Sequence, residues 1–195
     1  MCPPMGSLLI RSIFENESSR VKVGALGFLI TLSFILCTVA TFTKRWIRWD
    51  GLYAADLHSG GVGIVPYGPG EAGWFAAASG MMFMAFGLHF LLFVVYLHAA
   101  YKVHHHGFCH SIRPIFIGIT LLCLLIGLLQ AIAFILMVTN ASDYNYYGTI
   151  VSSSTLGYSA YLSMVSAPCA GLAMMLSELF ARFDCRKNGE EIDNL

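Results

Sequence analysis

The residues in this chain that could do chemistry form three groups. The densest is His104-His105-His106-Gly107-Phe108-Cys109-His110, where imidazoles and a thiol offer the donors that Cu or Zn takes. Its spacing matches no established zinc or copper site, so the reading adopted is a pH-responsive loop beside anionic headgroups, with no metal assigned. Met81, Met82 and Met84 would suit a thioether path for copper, but methionines in an apolar helix serve as packing filler. The third group, His89, Gln130 and Glu178, interrupts otherwise apolar stretches. A polar group inside a membrane is costly unless it finds a partner. His89 and Gln130 are expected to bond to each other or to a partner helix, and Glu178 to pair with Arg182 at a four-residue spacing. No nucleophile stands with an aligned base, and there is no phosphate loop or pair of catalytic carboxylates, so no catalytic residue and no cofactor is assigned.

The elements that hold these residues are apolar. The chain has 195 residues, 57% hydrophobic and 11% charged, with a mean hydropathy of +0.69, too apolar for an ordinary water-facing surface. Four stretches, about residues 23–43, 74–97, 114–138 and 156–180, are each long enough to cross a core of about 30 Å as a helix. A barrel would need many short alternating segments, whereas these are continuous runs of Leu, Ile, Phe, Ala and Met. The expected fold is an all-α membrane protein, a single domain over residues 1–195 built as a four-helix bundle. A transporter would carry repeats, broken helices and several intramembrane charges, none of which the sequence shows.

Basic residues set the orientation. Arg11, Arg20, Lys22, Lys102, Arg113, Arg182, Arg186 and Lys187 fall in the two termini and the middle loop, against Lys44, Arg45 and Arg48 in the first loop and none in the third. Both termini are therefore expected in the cytoplasm. No cleavable signal is read in the first residues, so the first span is expected to act as its own insertion signal. The formal net charge of +0 gives a nucleic-acid partner no electrostatic basis. On this topology no cysteine lies outside, and no structural disulfide is expected. The first external loop, about residues 44–73, is glycine-rich and turn-prone, and Tyr144, Tyr146 and Tyr147 in the second have the character of an interface belt.

Two patterns go beyond topology. Trp49-Asp50-Gly51-Leu52-Tyr53 follows the first span, and Gly157-Tyr158-Ser159-Ala160-Tyr161-Leu162 opens the fourth, with Pro168 further on. The chain thereby resembles the superfamily of claudins, peripheral myelin protein and calcium-channel gamma subunits, whose first external loop and last helix carry similar signatures. The resemblance implies a claudin-like bundle with a small extracellular sheet. It also implies two cysteines in the first loop after the signature, and here the stretch that follows Tyr53, AADLHSGGVGIVPYGPGE, contains none.

The working surfaces expected from this reading are an external partner-binding patch, Trp46, Trp49, Gly51, Leu52 and Tyr53, and helix-packing positions in the fourth helix. The latter are Gly157, Tyr158, Ser159, Tyr161, Ser163, Ala167, Pro168 and Gly171, with Ser163, Ala167 and Gly171 forming a small-residue stripe. Cys185, and after it Cys109 and Cys2, are candidate palmitoylation sites, Asn140 opens a candidate glycosylation sequon, and Asp193 to Leu195 could enter a carboxylate-binding groove of a cytoplasmic scaffold. The function implied is non-enzymatic: a plasma-membrane tetraspan of cell junctions, binding itself, claudin-like proteins and the bilayer. The alternative is an auxiliary subunit that adjusts the gating or trafficking of a channel or receptor.

Overall fold

The structure, a computed structural model, describes residues 5–49, 60–65, 72–106, 108, 110–141, 145–146, 149–150 and 154–184. Helix α1 covers Met5–Phe42, α2 Gly73–His106, α3 Arg113–Asn140 and α4 Tyr158–Leu179. Each contains a stretch apolar and long enough to cross a bilayer: Arg20–Phe42, Gly73–His105, Arg113–Asn140 and Tyr158–Arg182. Pro114 lies in the first turn of α3, where a missing N–H leaves no bond unmade. Helix α2 runs on past Leu97 to His106, so His104 to His106 are helical and do not belong to a loop as the sequence suggested. Nothing in that stretch stops a helix before Gly107.

Neighbouring helices follow one another around the bundle, α1 on α2, α2 on α3, α3 on α4 and α4 back on α1, leaving α1 and α3 across the diagonal. The buried positions explain this arrangement. In α3 they are Phe116, Ile119, Cys123, Ile126, Gln130, Ala133 and Met137, and in α4 Ser159, Ser163, Ser166, Ala170, Ala173 and Ser177, with Ala160 buried beside Ser159 under the outer end. Steps of three and four alternate in both helices, as they do through Val23, Leu26, Ile30, Ser33, Cys37 and Ala40 of α1. A seam that repeats every 3.5 residues holds one face toward its neighbours and drives a left-handed supercoil. Large apolar side chains such as Phe28, Phe90, Leu121 and Met175 point outward, where lipid is their solvent.

The core lies in two apolar halves. One contains Leu26, Ile30, Leu92, Ile119 and Ile126 and ends at the middle loop; the other contains Cys37, Met82, Ala133 and Met137 and ends under the external loops. At the first end Phe108, Phe116 and Phe180 close the bundle, their ring centroids 5.6 to 5.8 Å apart. At the other end a three-stranded sheet sits on the helices. Strand β1 (Ile47–Trp49) pairs antiparallel with β2 (Gly60–Val62), while β3 (Asn145–Tyr146) and β4 (Thr149–Ile150) form a separate hairpin. Strand β5 (Ser154–Leu156) pairs with the other side of β1, giving the order β2-β1-β5. Leu156 thus belongs to a strand and not to the fourth helix.

The seam predicts a position-dependent cost. Ala173 is fully buried and Leu172 is 53% exposed. Ala173→Leu should therefore cost about 1–3 kcal/mol by overpacking and lower the thermal midpoint in detergent, whereas Leu172→Ala should leave that midpoint nearly unchanged. Equal effects at the two positions would refute the seam.

Candidate functional site

Two constructions distinguish this bundle: a polar layer across its middle and a platform at its outer end. In the polar layer Ser33 Oγ lies 2.9 Å from His89 Nε2 and 3.1 Å from Ser166 Oγ. Ser166 Oγ donates to the Ser33 carbonyl at 2.9 Å, and Gln130 Nε2 donates to Ser166 Oγ at 3.0 Å. His89 Nδ1 faces the Ala85 carbonyl at 2.9 Å. A carbonyl only accepts, so Nδ1 carries the proton and Nε2 is left to accept from Ser33, whose single hydroxyl proton is shared between Nε2 and the Ser166 carbonyl at 3.0 Å. One residue from each helix takes part, and all four are at most 1% exposed.

His89 and Gln130 do not meet, as the sequence reading allowed, but are bridged by two serines it did not single out. Ser33 and Ser166 are recoverable from the 3.5-residue seam, which places both on the buried faces of their helices. Gln130 Oε1 has no hydrogen-bond partner, so the layer is nearly but not fully satisfied.

The platform depends on the turn between α1 and β1. Trp46 is fully buried, and its Nε1 donates to the Ala40 carbonyl at 2.6 Å. The sequence placed Trp46 on the exposed partner-binding patch; the structure corrects this, because a large apolar ring whose one donor can reach a helix carbonyl is held inside. Helix α4 starts against the same turn. Gly157 N donates to Trp46 O at 2.8 Å and Ser159 N to Arg45 O at 3.2 Å, so an orphan amide of the first turn of α4 is satisfied by the first loop. The hydroxyls of Thr43 and Ser159 meet at 2.6 Å.

Two glycines make this close approach feasible. A Cβ on Gly157 would lie 2.6 Å from the Arg45 carbonyl carbon, and one on Gly63 would lie 2.5 Å from Lys44 Cα. The chain at Thr43 to Arg45 is thus packed between a glycine of the first loop and one that follows the second.

The other expected site residues fall as follows. Trp49 is in β1, opposite Gly60 and Ser154; Gly51, Leu52 and Tyr53 lie outside the described residues. Of the fourth-helix positions, Gly157, Ser159 and Ser163 are buried, and Ser163 Oγ points at Met82 Sδ at 3.5 Å. Tyr158 and Tyr161 are 50% and 53% exposed, and Pro168 is exposed. These three face outward and do not serve packing within the chain. Ala167 and Gly171 are half-buried, and a Cβ on Gly171 would meet nothing. A strict four-residue step drifts off a 3.5-residue seam, so only Ser163 of the expected stripe stays on it.

Met82 is buried, Met81 half-buried and Met84 exposed, so the three line no common path. Arg182 Nε reaches Glu178 Oε1 at 2.6 Å as an exposed i,i+4 pair. The Asn140 amide nitrogen, the atom a glycan would need, donates to Leu136 O and Thr139 Oγ1, each at 2.9 Å. Among the described residues no three His, Cys, Asp or Glu side chains gather as a metal site. Cys2, Cys109, Cys185, Asp193 and Leu195 lie outside the described residues.

Comparison with known proteins adds one match. The profile of a family described as tight junction protein, claudin-like, matches residues 17–191. No curated protein matches the sequence.

Two expectations follow for stability in detergent. Gly157→Ala forces a Cβ into the Arg45 carbonyl and should cost about 1–3 kcal/mol, while Gly80→Ala, whose Cβ meets nothing, should be tolerated. In the polar layer, Ser166→Ala removes the atom that joins three helices and should cost about 1–2 kcal/mol. Gln130→Leu removes an unpartnered oxygen together with one bond and should cost less. Thermal unfolding of the four variants checks both orders, and a reversal within either pair contradicts the corresponding account.

Proposed function

The chain belongs to the claudin-like family of tight-junction proteins, and from that premise we propose that it organises cell–cell contacts as a non-catalytic tetraspan of the plasma membrane. Its outward helix faces bind neighbours side by side, and its external loops meet a counterpart on the opposing cell. One observation carries the reading: the sheet is built from both external loops and is tied to α1 and α4 through Trp46, Arg45 and Gly157. Loops anchored in one sheet on a rigid bundle lower the ordering cost of contact, and the contact is assigned to Trp49 of β1 with Gly51, Leu52 and Tyr53 of the same loop. Tyr158 and Tyr161, exposed at the outer end of α4, extend that surface toward the membrane interface. The tail supplies the inner attachments, with Cys185 as an acylation site and Asp193 to Leu195 as a ligand for a scaffold.

A second reading, an auxiliary subunit of a channel or receptor, is favoured by the lack of cysteine between Trp49 and Trp74. A loop without the family's bridge is less suited to bearing load between cells, and the helix faces then become the principal binding surface.

Expression of the tagged chain in cells that lack junctions separates the two. Adhesion predicts enrichment where two expressing cells touch and none where an expressing cell meets a non-expressing one; Tyr53→Ala should still reach the surface but lose the enrichment. Uniform surface distribution, or retention inside the cell until a pore-forming partner is supplied, would reject the junctional role.

A further inference from the structure

At the end of the bundle bearing the middle loop, α1 and α2 part to leave a groove of about 230 Å3. Its two levels differ in chemistry. Its walls are formed by Val23 and Val103, both buried, with Gly24 and Ala100, and Tyr96 closes the floor, its hydroxyl donating to the Val23 carbonyl at 3.2 Å. At the mouth stand Arg20 and His104, both exposed. Among the described residues no carboxylate lines the groove and Arg20 makes no ion pair.

Position along the membrane normal fixes what such a groove meets. Arg20 stands just before the uncharged run of α1 that begins at Val23, and His104 lies just beyond Lys102, the residue that ends the uncharged run of α2. The mouth is therefore level with the headgroups, and Tyr96, eight residues before His104, is about 12 Å deeper at the rise of an α-helix. The groove stays open because α1 has no side chain at Gly24, where a Cβ would meet nothing within 4 Å, and faces the small Ala100 across the gap. One turn on, at Gly27, the gap closes, since a Cβ there would strike the Tyr96 ring.

We infer that this groove is a binding site for an anionic phospholipid of the cytoplasmic leaflet, its headgroup phosphate held by Arg20 and His104 and an acyl chain entering beside Gly24. Charge complementarity selects the occupant. Arg20, Lys22, Lys102 and Arg113 make this end of α1 to α3 basic, and the leaflet that attracts such a collar is the one rich in anionic lipid. A guanidinium takes phosphate oxygens in a bidentate fork, and imidazole adds a further donor. The volume is below the ~300–1,000 Å3 of a site that encloses a whole small molecule, which suits a headgroup and the first carbons of one chain, with the rest of the lipid in the bilayer.

The test is native mass spectrometry of the full chain released from micelles containing equal amounts of phosphatidylserine and phosphatidylcholine. The wild type should retain one phosphatidylserine in preference to phosphatidylcholine. Arg20→Gln should reduce that retention about fivefold, the weight of one basic residue against an anionic surface. Gly24→Leu, whose Cβ meets nothing within 4 Å and whose longer side chain can occupy the groove, should abolish it. Arg182→Gln, which removes a cation at the same end but outside the groove, should match the wild type. Gel filtration identifies any variant that has not folded, and the two groove substitutions act independently, so loss of one leaves the other as the test. Equal retention of both lipids, an equal loss in Arg182→Gln, or no loss in Gly24→Leu would overturn the site. Displacement of the lipid by excess inorganic phosphate would overturn it in favour of a free-anion site.

Discussion

Ser33 and Ser166 exchange hydrogen bonds at a depth where no water can replace either partner, and the rest of the bundle is arranged around that exchange. Each hydroxyl reaches the other helix's backbone carbonyl, at 3.0 and 2.9 Å, so α1 and α4 must lie close enough for side chain to meet main chain. Only small residues permit this, and the buried face of α4 accordingly consists of Ser and Ala. Lipid supplies no hydrophobic drive for helices to associate, so close contact and hydrogen bonding supply it instead. Ser177 repeats the device nearer the inner end, donating to the Phe116 carbonyl of α3 at 2.7 Å. His89 and Gln130 join the central pair from the remaining helices and pin the register of all four.

The external sheet rests on a different economy of interactions. Strands of three residues contribute few ladder bonds, and a short sheet of that kind is not stable alone. Here its central strand leaves α1 through a turn fixed at three points: the Trp46 ring beneath it, the start of α4 beside it and Gly63 against it. A disulfide within the first loop would restrict the same chain from inside, commonly for about 2–5 kcal/mol. Strand addition from the second loop and docking onto α4 restrict it from outside. The two loops therefore cannot move independently close to the bundle.

Much of this was legible in the sequence, and what was missed has physical causes. Four apolar runs without Lys, Arg or Asp specify four spans because the length of hydrocarbon to be crossed leaves little choice. The pairing of Glu178 with Arg182 followed from helical spacing alone. Trp46 was read as exposed because it follows a cluster of charges and precedes a surface-like motif; only the fold shows that the chain turns there and tucks the ring under Ala40. The small sheet followed only from the resemblance, because strands of three residues, one of them Gly60–Val62, carry little propensity of their own, and β1 takes its form from its two neighbours. Ser33, Ser166 and Ser177 were passed over, although Ser159 and Ser163 were not, because an isolated hydroxyl in an apolar helix can bond to its own backbone, as Thr120 does. Their meaning lies in spacing: steps of four, three, four, three and four through Ser159, Ser163, Ser166, Ala170, Ala173 and Ser177 place every one on the seam.

The same packing confines function to the outside of the molecule. Along the bundle axis the buried side chains run from Trp46 and Phe75 at one end to Phe108 and Phe180 at the other, with the polar layer between them. Aromatic residues from the connecting segments close both ends. A path for a solute along that axis would require breaking the four-helix hydrogen-bonded layer and displacing large rings whose packing closes each end. Binding through surfaces left open costs none of this. Those surfaces are the outer loops, the lipid-facing helix sides and the seam between α1 and α2 at the basic end, where the helices stand apart. A sealed bundle with open flanks is suited to assemble with other molecules in the plane of the membrane, and the absence of a charged residue from its central layer is consistent with that role.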